Sequence, residues 1–78
     1  MGAVLKISKM EGRTLRDLRE ENQKSRAEIA QALGVTLRCV YNYEYGIRQI
    51  NISQVLILAE IYDTDTETVI KAALNSCL

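Results

Sequence analysis

Apolar residues recur along this chain at spacings of three and four, the pattern that places side chains on one face of a helix. Polar stretches containing glycine, asparagine, serine or threonine separate one apolar stretch from the next. The pattern predicts an all-α fold, a compact bundle of five helices. We expect these helices to cover about residues 14–22, 26–33, 37–44, 52–62 and 66–75.

Capping residues mark where the predicted helices begin. A hydroxyl, amide or carboxylate side chain just before a helix can accept a hydrogen bond from a backbone N–H of the first turn. An acidic residue or glutamine three positions later can return a bond to the backbone of the capping residue. The pairs with this spacing are Thr14–Asp17, Ser25–Glu28 and Asn51–Gln54, and the single caps are Thr36 and either Thr64 or Asp65.

Residues 25–44, SRAEIAQALGVTLRCVYNYE, match what two short helices crossing at a tight turn require. Gly34 suits the turn because glycine adopts a left-handed conformation without steric cost, and the small Ala30 lets the second helix cross closely. Helix pairs of this kind are common in bundles, but the whole set of constraints favours a DNA-binding helix-turn-helix unit. The positions expected to face inward are Ile29, Ala30, Leu33, Val35, Val40 and Tyr43.

The first ten residues, MGAVLKISKM, mix apolar side chains with lysines. We interpret residues 1–10 as an N-terminal arm and residues 11–78 as the folded domain, with a short edge strand or a disordered tail as alternatives for the arm. A capping pair at Ser8 and Glu11 leaves open an earlier start of the first helix, which Gly12 would weaken.

Amino-acid composition bears on the number of domains and on the cellular location, and it does not change the expected fold. The 78 residues are enough for one domain, and 47% apolar with 26% charged residues is ordinary for a globular chain. The longest wholly apolar run covers only residues 55–59, and no signal peptide is apparent. We therefore expect a cytoplasmic protein that does not contact a membrane.

Charge is unevenly distributed, although the formal net charge is zero. Residues 1–48 hold nine basic and six acidic residues, a balance of +3, whereas residues 49–78 have a balance of −3. The local field of a docking face attracts a polyanion more than the whole-chain charge does, so the first part of the chain favours a nucleic-acid partner. Accidental clustering of so few charges is the alternative.

Residue types that support catalysis or metal binding are sparse. The sequence has no histidine and no glycine-rich phosphate loop, and Cys39 and Cys77 lack metal-ligand spacing. We expect no enzyme activity, no metal, no cofactor and two reduced thiols. Redox sensing at Cys39 is a minor alternative to its being a small helical residue.

Four motifs lie along the chain between about residue 14 and residue 74. They are Leu15-x-x-Leu18-Arg19, Ile29-Ala30-x-x-Leu33-Gly34-Val35-Thr36, Val40-x-x-Tyr43-Glu44-x-Gly46 and Leu56-x-x-Ala59-x-x-Tyr62. These motifs resemble those of the phage repressor and Cro-like helix-turn-helix family, also called the XRE family. The resemblance implies a lambda-repressor-like domain of five helices, in which helices 2 and 3 form the helix-turn-helix.

The resemblance also implies a structural pair and a set of DNA contacts. In this family an arginine of helix 1 pairs with a glutamate at the end of helix 3, positions that fall on Arg19 and Glu44, with two solvated surface charges as the alternative. The first turn of helix 3 is expected to enter the major groove. The expected base-reading residues are Leu37, Arg38, Tyr41 and Asn42, and the expected phosphate contacts come from Arg19, Arg26, Thr36, Tyr45 and Arg48.

The base-reading residues differ in what they can recognise. Two donors of Arg38 can bridge O6 and N7 of guanine, and Leu37 can pack on a thymine methyl group. Asn42 can pair with adenine or hold a phosphate, and Tyr41 offers a hydroxyl and a ring edge.

These observations predict a sequence-specific transcriptional regulator, a repressor that binds double-stranded DNA in a phage or prophage setting. A small domain reads few base pairs, so we expect a homodimer on a palindromic operator, formed through the apolar surplus of helices 4 and 5. No small-molecule ligand is expected. The alternative is a protein-interaction module of the same fold, such as an antitoxin, with weak or no DNA binding; the neutral total charge and the apolar Leu37 favour it.

Overall fold

The structure, a computed structural model, describes residues 12–77 and consists there of five helices joined by short turns. The predicted all-α bundle is confirmed, with helix ends within about one residue of those expected. The N-terminal arm predicted for residues 1–10 lies outside the described residues. The helices are α1 (Leu15–Glu21), α2 (Arg26–Leu33), α3 (Leu37–Glu44), α4 (Ile52–Ile61) and α5 (Thr66–Ser76).

Side-chain caps begin all five helices. At α1, α2 and α4 the capping side chain accepts from the backbone N–H three residues on, and the side chain at that position accepts from the backbone of the cap. Thr36 and Asp65 cap α3 and α5 in one direction, which selects Asp65 over Thr64. Replacing a capping side chain by alanine typically costs about 1 kcal/mol, so these local bonds define where each helix starts.

One apolar core lies between the helices. The largest fully buried side chains are Leu18 of α1, Val40 of α3 and Val69 of α5, each at most 2% exposed. Of the six positions expected to face inward in residues 25–44, four are buried and two, Leu33 and Val35, are half-buried against the core. The rest of the core is Leu15, Ile29, Ala30, Tyr43, Val55, Leu58, Ala59, Tyr62 and Ala72.

Apolar residues of α4 and α5 divide between the core and the surface. Val69 and Ala72 bury one side of α5, while Ile70 and Leu74 stay exposed, Leu74 by 57%. On α4, Ile52 is 68% exposed and Leu56 is exposed as well. None of the helices within residues 12–77 is long and apolar enough to cross a membrane.

The end of α5 contacts both the start of α1 and Gly46, which lies two residues after α3. Ser76 Oγ accepts a hydrogen bond from the Leu15 backbone N–H at 3.0 Å, and Asn75 donates to the Arg13 carbonyl at 2.9 Å. Gly46, with φ at +74°, lies so close to this helix end that a Cβ atom there would stand 2.8 Å from Cys77 Cα. The C-terminal turn of α5 therefore packs closely against the turn that follows α3.

Candidate nucleic-acid interface

Helices α2 and α3 cross at a three-residue turn. Gly34 has φ at +70°, in the left-handed region, and a Cβ atom there would meet no atom within 4 Å. Glycine is therefore needed at this position for its backbone conformation and not for space. Val35 follows it, packs against the core and donates its N–H to the Ala30 carbonyl at 3.0 Å. The result is a helix-turn-helix unit with the second helix capped by Thr36.

An ion pair joins the first helix to the end of the third. Arg19 Nε donates to Glu44 Oε2 at 2.6 Å, Nη2 lies 3.4 Å from Oε1, and Nη1 donates to the Lys24 carbonyl at 3.0 Å. Both residues are buried. Such a bidentate, desolvated pair has a defined geometry, so it orients α3 relative to α1. With three donors engaged, Arg19 has fewer left for the phosphate contact expected from the sequence.

Arg26 shares the same carboxylate. Its Nε donates to Glu44 Oε1 at 2.9 Å, and its side chain is 29% exposed where that of Glu44 is 3% exposed. Sequence reasoning assigned Arg26 to a phosphate contact only and missed this bond. No local signal could have found it, because the two residues are 18 positions apart and meet only when α2 and α3 cross.

The four expected base-reading residues all lie on α3, but they differ in their exposure and in their contacts with neighbouring residues. Leu37 is 55% exposed, and Arg38 is exposed beside it in the first turn. Asn42 is half-buried, and its carbonyl accepts from the N–H of Ile47 at 2.9 Å. The Tyr41 ring is engaged: its centroid lies 4.3 Å from that of Tyr45.

Three further expected phosphate contacts surround α3. Thr36 Oγ1 accepts from the Cys39 N–H at 3.1 Å as the helix cap, and its own O–H remains a possible donor. Tyr45, directly after α3, and Arg48, in the next loop, are both exposed. The structure thus brings Arg19, Arg26, Tyr41, Glu44 and Tyr45 into one network, with Leu37 and Arg38 at the opposite end of α3. Their DNA contacts stay predictions.

Cys39 faces the interior more than the reading face. It is half-buried against the core. The neighbouring Cys39 side chain, together with burial, raises the pKa of the Tyr43 hydroxyl. Gln54 Nε2 bonds that hydroxyl, at 3.0 Å, an interhelical contact that the sequence did not predict. Cys77 is exposed, and among residues 12–77 no three histidine, cysteine, aspartate or glutamate side chains are grouped to hold a metal ion.

An apolar groove of about 210 Å³ separates the loop before α4 from α5. Ile50, Ile52 and Val55 line one side, and Ile70 and Leu74 line the other. The groove lies within the exposed apolar surface of α4 and α5, whereas the candidate reading residues belong to α3.

Comparisons with known proteins agree with this geometry. The family model described as a helix-turn-helix domain matches residues 12–70 of the chain. A protein of Thermococcus kodakarensis named as an HTH-type transcriptional regulatory protein is 38% identical over 55 residues, covering 70% of this chain and 17% of that protein. A protein of the same description from Pyrococcus furiosus is 38% identical over 55 residues, 70% of this chain and 18% of that protein.

The chain therefore spans less than a fifth of the length of these relatives. No solved structure gives a significant match. The family match covers both helices of the unit, the turn between them and most of the remaining bundle. This confirms the resemblance found in the sequence: the chain belongs to the helix-turn-helix domain family.

Proposed function

We propose that the domain is the sequence-specific DNA-binding part of a transcriptional regulator and that it inserts α3 into the major groove. The observation that carries this proposal is the first turn of α3, which exposes Leu37 and Arg38 on a helix whose far end is fixed by buried Glu44. A rigidly held helix with an exposed N-terminal turn is the element that reads base edges in this class of domain. The names of these two relatives support the same function.

Base recognition is assigned to residues of α3. Arg38 bridges O6 and N7 of a guanine, and Leu37 packs on a thymine methyl group, contacts worth roughly 1–3 kcal/mol of discrimination when well aligned. Asn42 contributes a side-chain amide for adenine or phosphate. Tyr41 is the fourth residue predicted from the sequence, but its contacts with Arg26 and Tyr45 favour a role other than base reading.

Phosphate contacts flank this reading turn. Arg26 and Thr36 lie at the N-terminal ends of α2 and α3, where unpaired backbone N–H groups also favour an anion. Tyr45 and Arg48 follow α3. Arg19 is the most buried of the expected contacts and is paired with Glu44, so it has fewer free donors for a phosphate than the others. These contacts position the domain without reading sequence.

We further propose that the regulator is a cytoplasmic repressor that acts as a homodimer on a palindromic operator. The exposed apolar residues of α4 and α5 (Ile52, Leu56, Ile70, Leu74) and the groove between them supply a surface for a second copy. A two-fold dimer doubles the number of base pairs read, and occupation of an operator is enough to block other proteins.

Selection of bound sequences from random duplex DNA tests the DNA-binding proposal. We expect one enriched motif with two-fold symmetry, half-sites separated by about 34 Å, and affinity that falls steeply with salt. Arg38→Ala should flatten the preference at one guanine position, whereas Arg48→Ala should weaken binding to all sequences alike. Salt-independent binding with no enriched motif would contradict the proposal.

Sedimentation of two matched leucine variants tests the dimer. Leu74, 57% exposed on α5, and Leu37, 55% exposed on α3, differ in location but hardly in exposure. We expect Leu74→Lys to dissociate the dimer and leave the fold intact, and Leu37→Lys to remain dimeric. A wild-type chain that stays monomeric at high concentration, or equal behaviour of the two variants, would count against this interface.

A second candidate function is protein recognition by the same fold. Leu37 and Ile47 are exposed apolar residues at the two ends of α3, where they could contact a protein partner such as the toxin bound by an antitoxin. The selection experiment separates the two functions. An interaction module should enrich no motif, and its affinity for duplex DNA should not exceed the non-specific level.

A further inference from the structure

The Tyr41 ring lies between α2 and the end of α3 and contacts a side chain from each. The guanidinium carbon of Arg26 lies 5.3 Å from the centroid of the Tyr41 ring, and the Tyr45 ring lies 4.3 Å away at 31°. The distance to Arg26 falls within the range of cation–π contacts, and the two tyrosine rings are in close, tilted contact. These two neighbours hold the ring in place, while 43% of Tyr41 remains exposed to solvent.

Arg26 is held at two points by this arrangement. Its Nε donates to Glu44 at 2.9 Å, and its guanidinium group lies over the Tyr41 ring. The bond to Glu44 uses Nε, and within residues 12–77 the two terminal nitrogens make no hydrogen bond. A planar guanidinium with two terminal nitrogens available matches the geometry of a phosphate group.

Charge favours an anion at this point despite the buried carboxylate. Glu44 accepts from two arginines, Arg19 and Arg26, so the three groups together retain one positive charge. Arg19 is buried, and Arg26 is the more exposed of the two. The excess charge is therefore presented to solvent mainly by Arg26, at the first residue of α2.

We propose that Tyr41 is a positioning residue, which orients Arg26 for a backbone phosphate, and that it does not read a base. This inference rests on the proposed DNA-binding function. It replaces the base-reading role expected for Tyr41 from its place on α3. The aromatic ring of Tyr41 positions Arg26, and the hydroxyl is not required. Specificity then falls on Leu37, Arg38 and Asn42.

The test uses the full chain and a duplex enriched from random DNA, compared with a scrambled duplex of equal composition. Tyr41→Phe keeps the ring and removes the hydroxyl, so affinity, motif and salt dependence should match those of wild type. Tyr41→Leu removes the ring, so affinity should fall roughly two- to fivefold for both duplexes alike, with the motif unchanged.

Arg26 variants supply the matched comparison. Arg26→Ala should lower the slope of log affinity against log salt by about 0.9, the value for one phosphate contact. Arg26→Lys keeps the charge but loses the planar stack and the bond to Glu44 through Nε, so it should resemble Tyr41→Leu. Adding Tyr41→Leu to Arg26→Ala should cause little further loss, because the ring acts through the guanidinium.

Several results would overturn the inference. Loss of preference at one base position in Tyr41→Phe would show that the hydroxyl reads a base. Multiplying losses in the double variant would show that the two residues act independently. Thermal unfolding identifies any variant that does not fold. If Tyr41→Leu does not fold, the two single variants Tyr41→Phe and Arg26→Lys still test the inference. If wild type itself enriches no motif, the proposed function fails first and separately.

Discussion

Nε of Arg19 lies 2.6 Å from Oε2 of Glu44 and joins the first helix of the bundle to the last residue of the third. Oε1 of the same carboxylate accepts from Arg26 of α2, so one buried glutamate connects three helices. The carboxylate thus determines the angle at which α3 is presented. Its removal should affect stability and DNA recognition together.

We predict that Glu44→Ala lowers the free energy of unfolding by about 3–5 kcal/mol, because it leaves buried Arg19 without its counter-charge. Urea unfolding at pH 7 measures this change. The control is Glu20→Ala, which breaks an exposed pair with Arg16 on the surface of α1 and should leave the urea midpoint almost unchanged. Similar losses in the two variants would show that the Glu44 network does not hold the bundle together.

Two glycines with nearly the same backbone conformation should respond differently to substitution. Gly34→Ala should cost about 1–2 kcal/mol, the strain of a left-handed residue, since the space for a Cβ atom is open. Gly46→Ala carries the same strain and also forces Cβ against Ser76 and Cys77, which should add about 1–3 kcal/mol. Thermal or urea unfolding of both variants checks the difference; equal losses would contradict the close approach of α5.

Local features of the fold were predictable because they depend on residues three or four positions apart. The capping pairs and the inward positions of residues 25–44 are of this kind, because the residues concerned lie within one or two helical turns of each other. Gln54 illustrates the limit. Its role as partner of Asn51 could be predicted from spacing, but its bond to Tyr43 depends on how α4 packs against α3.

The candidate site was predictable in outline for the same reason. Spacing on α3 is enough to place Leu37 and Arg38 on the exposed side. It cannot show that Arg26 bonds Glu44 or that Tyr41 contacts Arg26, because those contacts arise only at the crossing of two helices. Likewise, the spacing of apolar residues in α5 could not reveal that Val69 is buried and Leu74 exposed.

The buried hydrogen bond between Gln54 and Tyr43 should be measurable by a double-mutant cycle. Tyr43→Phe leaves Gln54 Nε2 buried without its acceptor and should cost about 1–3 kcal/mol. Adding Gln54→Met should cost less than the sum of the single changes, because the unpaired amide is then gone. Tyr45→Phe, an exposed tyrosine, is the control and should change the urea midpoint little. Strict additivity would show that the bond contributes nothing.

Stability should fall in acid because two capping carboxylates titrate. The backbone N–H of Ser25 holds the pKa of Glu28 below its ordinary value, and hydrogen bonds from Thr68 lower the pKa of Asp65. A carboxyl group whose pKa is lower in the folded chain binds fewer protons there than in the unfolded chain near pH 4. Its stabilising contribution is complete above the pKa of the unfolded chain and is lost as the pH falls through the folded value.

Glu28→Gln and Asp65→Asn should therefore lose less stability than wild type when the pH is lowered from 6 to 3. Glutamine can still accept from the Ser25 backbone, so Glu28→Gln removes the titration while keeping the capping geometry. Urea midpoints at several pH values measure the slope for each variant. Glu60→Gln, an exposed position in α4, is the control and should follow wild type. If Glu28→Gln also follows wild type across this range, the α2 cap does not contribute to acid sensitivity, and the same comparison at Asp65 decides for α5.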